Sequence, residues 1–96
     1  MADRLYIVAY DIRDQRRWRK VFKTMKGYGQ WLQLSVFQCR LTRKRYMELL
    51  ARLDSEIDHD NDQIVFLDLG DAERVEPHVE SLGIPITTLE KKAKVL

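Results

Sequence analysis

The sequence predicts an α+β domain in which two amphipathic helices cover one face of a four-stranded sheet. Three observations predict it. Apolar, β-rich runs stand at Arg4 to Tyr10 (RLYIVAY) and Gln63 to Leu69 (QIVFLDL). Two stretches between them carry apolar residues at helical spacing. Between those two stretches, Gln30 to Leu41 alternates apolar and polar residues as a half-buried sheet does.

The run from Arg4 to Tyr10 is continuous, as expected of a central strand covered on both faces, and it stops at Asp11. In the next stretch Trp18, Val21, Phe22 and Met25 recur at i, i+3, i+4 and i+7, the stripe of an amphipathic helix. Asp14 is its N-cap, and Gly27 with Gly29 ends it. Its other faces carry Arg16, Arg17, Arg19, Lys20, Lys23 and Lys26. Twelve residues from Gln30 make a long single strand, and the alternation changes phase near Ser35. Two strands joined by a tight turn at Gln33 to Ser35 account for the slip. Thr42 caps a second helix running to about Ile57, with Tyr46, Leu50, Leu53 and Ile57 as its buried stripe and Leu49 beside them. The turn Asp58 to Asp62 (DHDND) reads as solvated, and the strand from Gln63 is closed by Gly70. From Asp71 to Leu96 runs a tail with a short segment at Val75 to Leu82, interrupted by Pro77.

The order β-α-β-β-α-β is the split, ferredoxin-like arrangement, here in one domain spanning 1–96. Four strands place both helices on one side, so the other face of the sheet holds apolar residues with nothing local to cover them. A second copy packed sheet to sheet answers that need, with the tail of 71–96 expected to pack on the partner's sheet edge.

Charge narrows the function. Residues 1–52 hold thirteen Lys/Arg against four Asp/Glu, residues 53–96 hold four against eleven, and the net is +2. A basic half of this kind meets nucleic acid most often, although solvated helix faces have the same composition. No apolar run approaches the roughly 18 residues of a spanning helix, so no membrane partner is expected. The start lacks a signal-peptide pattern, and the lone Cys39 forms neither an internal disulfide nor a multi-cysteine metal site. A reducing cytoplasm is the expected compartment.

Several motifs follow one another in a telling order: VAYDIRD (Val8 to Asp14), Arg16 and Arg17, KGYG, Gln33, SVFQC (Ser35 to Cys39), then Ile57, Asp58, Asp62 and Gly83. Together they resemble the CRISPR-associated protein 2 family across nearly the whole chain. The resemblance implies a ferredoxin-like homodimer in CRISPR adaptation that binds captured duplex DNA and bridges the CRISPR integrase subunits. It also implies an Mg2+-dependent endonuclease acting on RNA or duplex DNA. The family's strand-one aspartate maps onto Asp11, with Tyr10 before it, and its Ser-Val-Phe segment maps onto Ser35, Val36 and Phe37. Gln38 departs from the family, many members of which carry Glu there.

Asp11 is therefore the candidate catalytic and metal-binding residue, with Tyr10 and Phe37 beside it. One carboxylate makes a poor Mg2+ site, whereas two copies of Asp11 at a dimer axis, with substrate phosphates, make a reasonable one for a single shared ion. The alternative is that Asp11 caps the first helix or the Ile12 to Asp14 turn. Arg13, Arg16, Arg17 and Lys20 are the candidate phosphate contacts, because that helix holds too few acids to neutralise them. Tyr10, Trp31 and Phe37 stack on bases or fill the core. His59, His78 and Ser35 lack the neighbours that catalysis needs. The rival class is a non-catalytic ferredoxin-like nucleic-acid-binding or regulatory interaction module.

Overall fold

The computed structural model describes residues 3–85 and 94–95. Its elements are β1 (Arg4–Asp11), α1 (Gln15–Lys26), β2 (Gln30–Gln33), β3 (Val36–Leu41), α2 (Arg43–Glu56) and β4 (Gln63–Asp71), then two-residue strands β5 (Glu80–Ser81) and β6 (Lys94–Val95). Strands β2-β3-β1-β4 form one sheet, antiparallel at every junction, while β5 and β6 pair in parallel. The α+β, ferredoxin-like order read from the sequence is the order observed.

Alternation along β1 divides the molecule. Tyr6, Val8 and Tyr10 face the helices, where they join Phe37, Cys39 and Leu41 of β3, Val21 and Met25 of α1, and Leu49 and Leu53 of α2. Burial of these side chains is the main stabilising term. Ile7 and Ala9 point the other way. Ile7 lies between Gln38 and Leu67, and Ala9 between Val36 and Val65. Val65 and Leu67 remain about half exposed. The uncovered apolar face expected from strand counting is present in the single chain.

Local chemistry explains the boundaries. Asp14 caps α1 by accepting from the Arg17 backbone N–H at 2.9 Å, and Thr42 does the same for α2 with Arg45 at 3.1 Å. Lys23 and Lys26 in the last turn of α1 complement the helix dipole. Gly29 is obligatory for a packing reason. A Cβ there would stand 2.6 Å from the Gln38 carbonyl oxygen, so β3 lies against bare backbone. The phase slip resolves as a two-residue turn at Leu34 and Ser35, with Leu34 at φ +35°.

Three details differ from the sequence reading. In α2 the fully buried leucine is Leu49, and Leu50 is only half-buried. Contact with α1 turns the helix so that Leu49, Leu53 and Glu56 face inward, and the Thr24 hydroxyl donates to both Glu56 carboxylate oxygens at 2.9 and 2.7 Å. Strand β4 continues through Gly70, whose φ of +107° lets the chain bend after its bulged pairing with β1. Finally, the segment 72–79 lies alongside Leu5, Leu32, Gln38 and Arg40, anchored by the Ala72 N–H donating to the Asp3 carbonyl at 2.8 Å, so it shelters the Leu5 end of the open face. The expected course of the tail beyond 85 lies outside the described residues apart from 94–95.

Candidate active site and nucleic-acid surface

Asp11 ends β1 with the parity of Ile7 and Ala9, so its carboxylate stands at the rim of the open face. Its side chain is 68% exposed, and its nearest cation is the Arg13 guanidinium at 3.8 Å. It caps nothing. Asp14 has that role, which leaves Asp11 free to bind a ligand.

Tyr10 and Phe37 do not share this site. Both project to the helix side, with ring centroids 6.3 Å apart, and Phe37 is wholly buried. Alternation makes this unavoidable, because neighbours on a strand face opposite ways. Burial pushes the Tyr10 phenol up to about 12, so it stays protonated at neutral pH and packs rather than transferring protons. Cys39 is likewise pushed up to about 12 by burial and is no nucleophile. Ser35 accepts from the Trp18 indole N–H at 2.7 Å and holds the turn against α1.

The loop that carries Asp11 and Arg13 is fixed from the acidic turn. The Asp62 carboxylate is fully buried and accepts four hydrogen bonds. Arg17 donates through Nε at 2.7 Å and Nη2 at 3.1 Å, and the Arg13 and Asp58 backbone N–H groups each donate at 2.9 Å. The Arg17 guanidinium, helped by these N–H groups, holds the Asp62 carboxyl well below its ordinary range. Asp62 is thus a positioning residue that the sequence reading took for part of a solvated turn. Arg17 is corrected with it: its forked donors are committed to Asp62, so it orients the loop instead of offering a free guanidinium to phosphate.

The other basic residues are available. Arg13, Arg16, Arg19, Lys20 and Lys23 are exposed, and among the described residues only Arg13 has a carboxylate within 4.0 Å, its neighbour Asp11. They cover the start and outer side of α1. No group of three or more metal-ligating side chains occurs among the described residues. The donor set available for a metal is one carboxylate per chain. That suits a hard, water-retaining cation such as Mg2+ only as a half-site completed by a second carboxylate or by phosphates.

The class that the fold and the site define is a small ferredoxin-like α+β protein with an exposed strand-end carboxylate and a basic first helix. The family described as "CRISPR associated protein Cas2" matches residues 4–76, and the chain belongs to that family. It is 56% identical over 95 residues to CRISPR-associated endoribonuclease Cas2 1 of Rhodospirillum rubrum, covering 99% of this chain and 93% of that one. Among solved structures it is similar to a hypothetical protein from Thermus thermophilus (TM-score 0.74, 35% identity, 90% of this chain and 98% of that chain). It is also similar to Streptococcus pyogenes Cas2 (TM-score 0.66, 35% identity, 76% and 96%).

Proposed function

We propose that the chain is a homodimeric, cytoplasmic CRISPR-adaptation protein that binds duplex DNA, bridges the CRISPR integrase, and is an Mg2+-dependent endonuclease on RNA or DNA. The observation that carries the proposal is the position of Asp11. It is exposed and uncapped, at the rim of the one sheet face that a second copy can cover. Support for that second copy comes from the half-exposed Val65 and Leu67. Sheet-to-sheet pairing brings two Asp11 carboxylates toward a common axis, and their mutual repulsion favours a cation between them. The names of relatives, endoribonuclease among them, support the hydrolytic part.

In this mechanism Asp11 from each subunit would hold Mg2+, and the ion would supply Lewis-acid activation of a phosphodiester and of water. Asp62 keeps the Asp11–Arg13 loop in place through the Arg13 N–H and Arg17. Arg13, Arg16 and Lys20 hold the backbone phosphates, so recognition is blind to sequence and weakens steeply with salt. Tyr10 is buried on the helix side of the sheet, so its phenol is not the acid or base beside Asp11.

Two variants test the halves separately. Asp11→Ala abolishes cleavage while leaving duplex binding intact, and equal cleavage by wild type and variant would end the nuclease assignment but spare the scaffold role. Arg16→Glu with Lys20→Glu weakens duplex binding at low salt and flattens its salt dependence, as a titration by fluorescence anisotropy reads. Unchanged affinity would remove the basic helix from the interface.

A further inference from the structure

We propose that Trp31, with Leu34 beside it, is a stacking surface for unpaired nucleobases of a single strand whose phosphates lie on the cations of α1. The proposal rests on the nucleic-acid reading above and adds to it a second, structurally separate contact.

Four observations converge on this position. First, Trp31 is 37% exposed although it registers with the fully buried Phe37 across the β2–β3 ladder. Its ring meets Phe22 edge-on at 6.1 Å, and Phe22 stacks on Trp18 at 5.1 Å, so a column of three aromatic rings ends at the surface. Second, the ring is held in place before any ligand arrives, because its indole N–H donates to the Leu34 carbonyl at 3.0 Å. Third, Leu34 is 72% exposed and sits at φ +35°, a region that bulky side chains avoid. An apolar side chain displayed on strained backbone at the tip of a turn marks a surface kept for contact. Fourth, the stretch of chain that builds the column contains no acid. No Asp or Glu occurs between Asp14 and Glu48, and Lys26 lies over the Phe22 ring at 5.5 Å from its centroid.

An aromatic face bordered by cations and by Gln30 and Gln33 matches a single-stranded nucleotide, which offers an open π-face and a phosphate together. A duplex hides all but its terminal base faces in the stack, so along its length it reaches the cations but not the ring. The position is compatible with dimer formation. Trp31 lies on the helix side of the sheet, away from the face assigned to a second copy. The β2–β3 turn that holds the ring is joined to β1, because the Tyr10 N–H donates to the Ser35 carbonyl at 3.1 Å.

The test measures the affinity of the full chain for oligo(dT), oligo(U) and a blunt duplex, using wild type, Trp31→Ala and Trp31→Phe. Trp31→Ala is expected to weaken binding of at least one single strand by roughly five- to a hundredfold. Trp31→Phe restores most of that loss, and duplex affinity stays within about twofold, the stacking contact being absent there. The strand that responds, DNA or RNA, identifies the ligand. Wild-type affinity of Trp31→Ala for both single strands overturns the inference, as does an equal loss on the blunt duplex or a failure of Trp31→Phe to recover. If the wild type binds none of the three probes, the nucleic-acid reading falls as well. If binding persists but ignores Trp31, only the stacking contact falls.

Discussion

Asp62 shows how a single residue escapes a sequence reading. In DHDND three aspartates look alike, and nothing local marks the third as buried. Only the fold brings Arg17 and the Arg13 N–H to it from 45 and 49 residues away. Asp11 stood out through the resemblance that VAYDIRD carries, because a carboxylate at the end of an apolar strand serves equally well as a cap. The buried pair has a pH consequence. A carboxylate whose folded pKa is depressed contributes stability that is complete above its ordinary value and is lost as the pH falls through the folded value. For Asp62 the ordinary value is 3.8, so the melting temperature is expected to drop from about pH 4 downward. Asp62→Asn should melt lower than wild type at pH 7 and show a shallower decline between pH 5 and pH 2. Circular dichroism melts check this, and an Asn variant with unchanged neutral-pH stability would show that the Arg17 contact does not hold the loop.

Among the elements, the two helices and the strands β1 and β4 were legible because their patterns are unbroken and the helix caps are the usual ones. Two features were not. The alternation around Ser35 shows that a turn exists, but it does not show that Leu34 adopts a left-handed backbone, since Leu has no preference for one. In α2, Leu49 and Leu50 are adjacent leucines, and helical spacing alone admits either as the centre of the stripe. The observed rotation puts Leu49 and Leu53 in the core and Glu56 against Thr24 of α1, contacts between elements that leave no trace in local pattern. Leu49→Ala is expected to cost about 2–5 kcal/mol, the usual range for emptying a fully buried leucine site. Leu50→Ala, at a half-buried position, should cost clearly less. Urea unfolding of the two variants compares them directly, and equal losses would contradict the observed rotation of the helix. The start of α2 also carries a local conflict. Arg43, Lys44 and Arg45 occupy a first turn with no acid, where the helix dipole disfavours cations. Arg45 is partly compensated by the Gly27 carbonyl at 3.0 Å and by the Tyr28 ring at 4.1 Å, which leaves the positive charge on the surface at some cost to the helix.

On the scale of the whole molecule, charge and apolar surface are separated. The basic helices cover one face of the sheet, the opposite face is apolar, and Asp11 stands at the boundary between them. Strand and helix counting alone predicts an uncovered face, because two helices cover only one side of four strands. What counting cannot supply is which face Asp11 joins. Strand parity answers that, placing it with Ile7 and Ala9 and separating it from Tyr10 and Phe37. The central claim is therefore that two chains share one cation through paired Asp11 carboxylates. The stoichiometry of bound Mn2+, standing in for Mg2+ and counted by electron paramagnetic resonance on purified protein, tests it most directly. One ion per two chains, lost in Asp11→Asn, is the expected result. One ion per chain, or binding that survives Asp11→Asn, would contradict it.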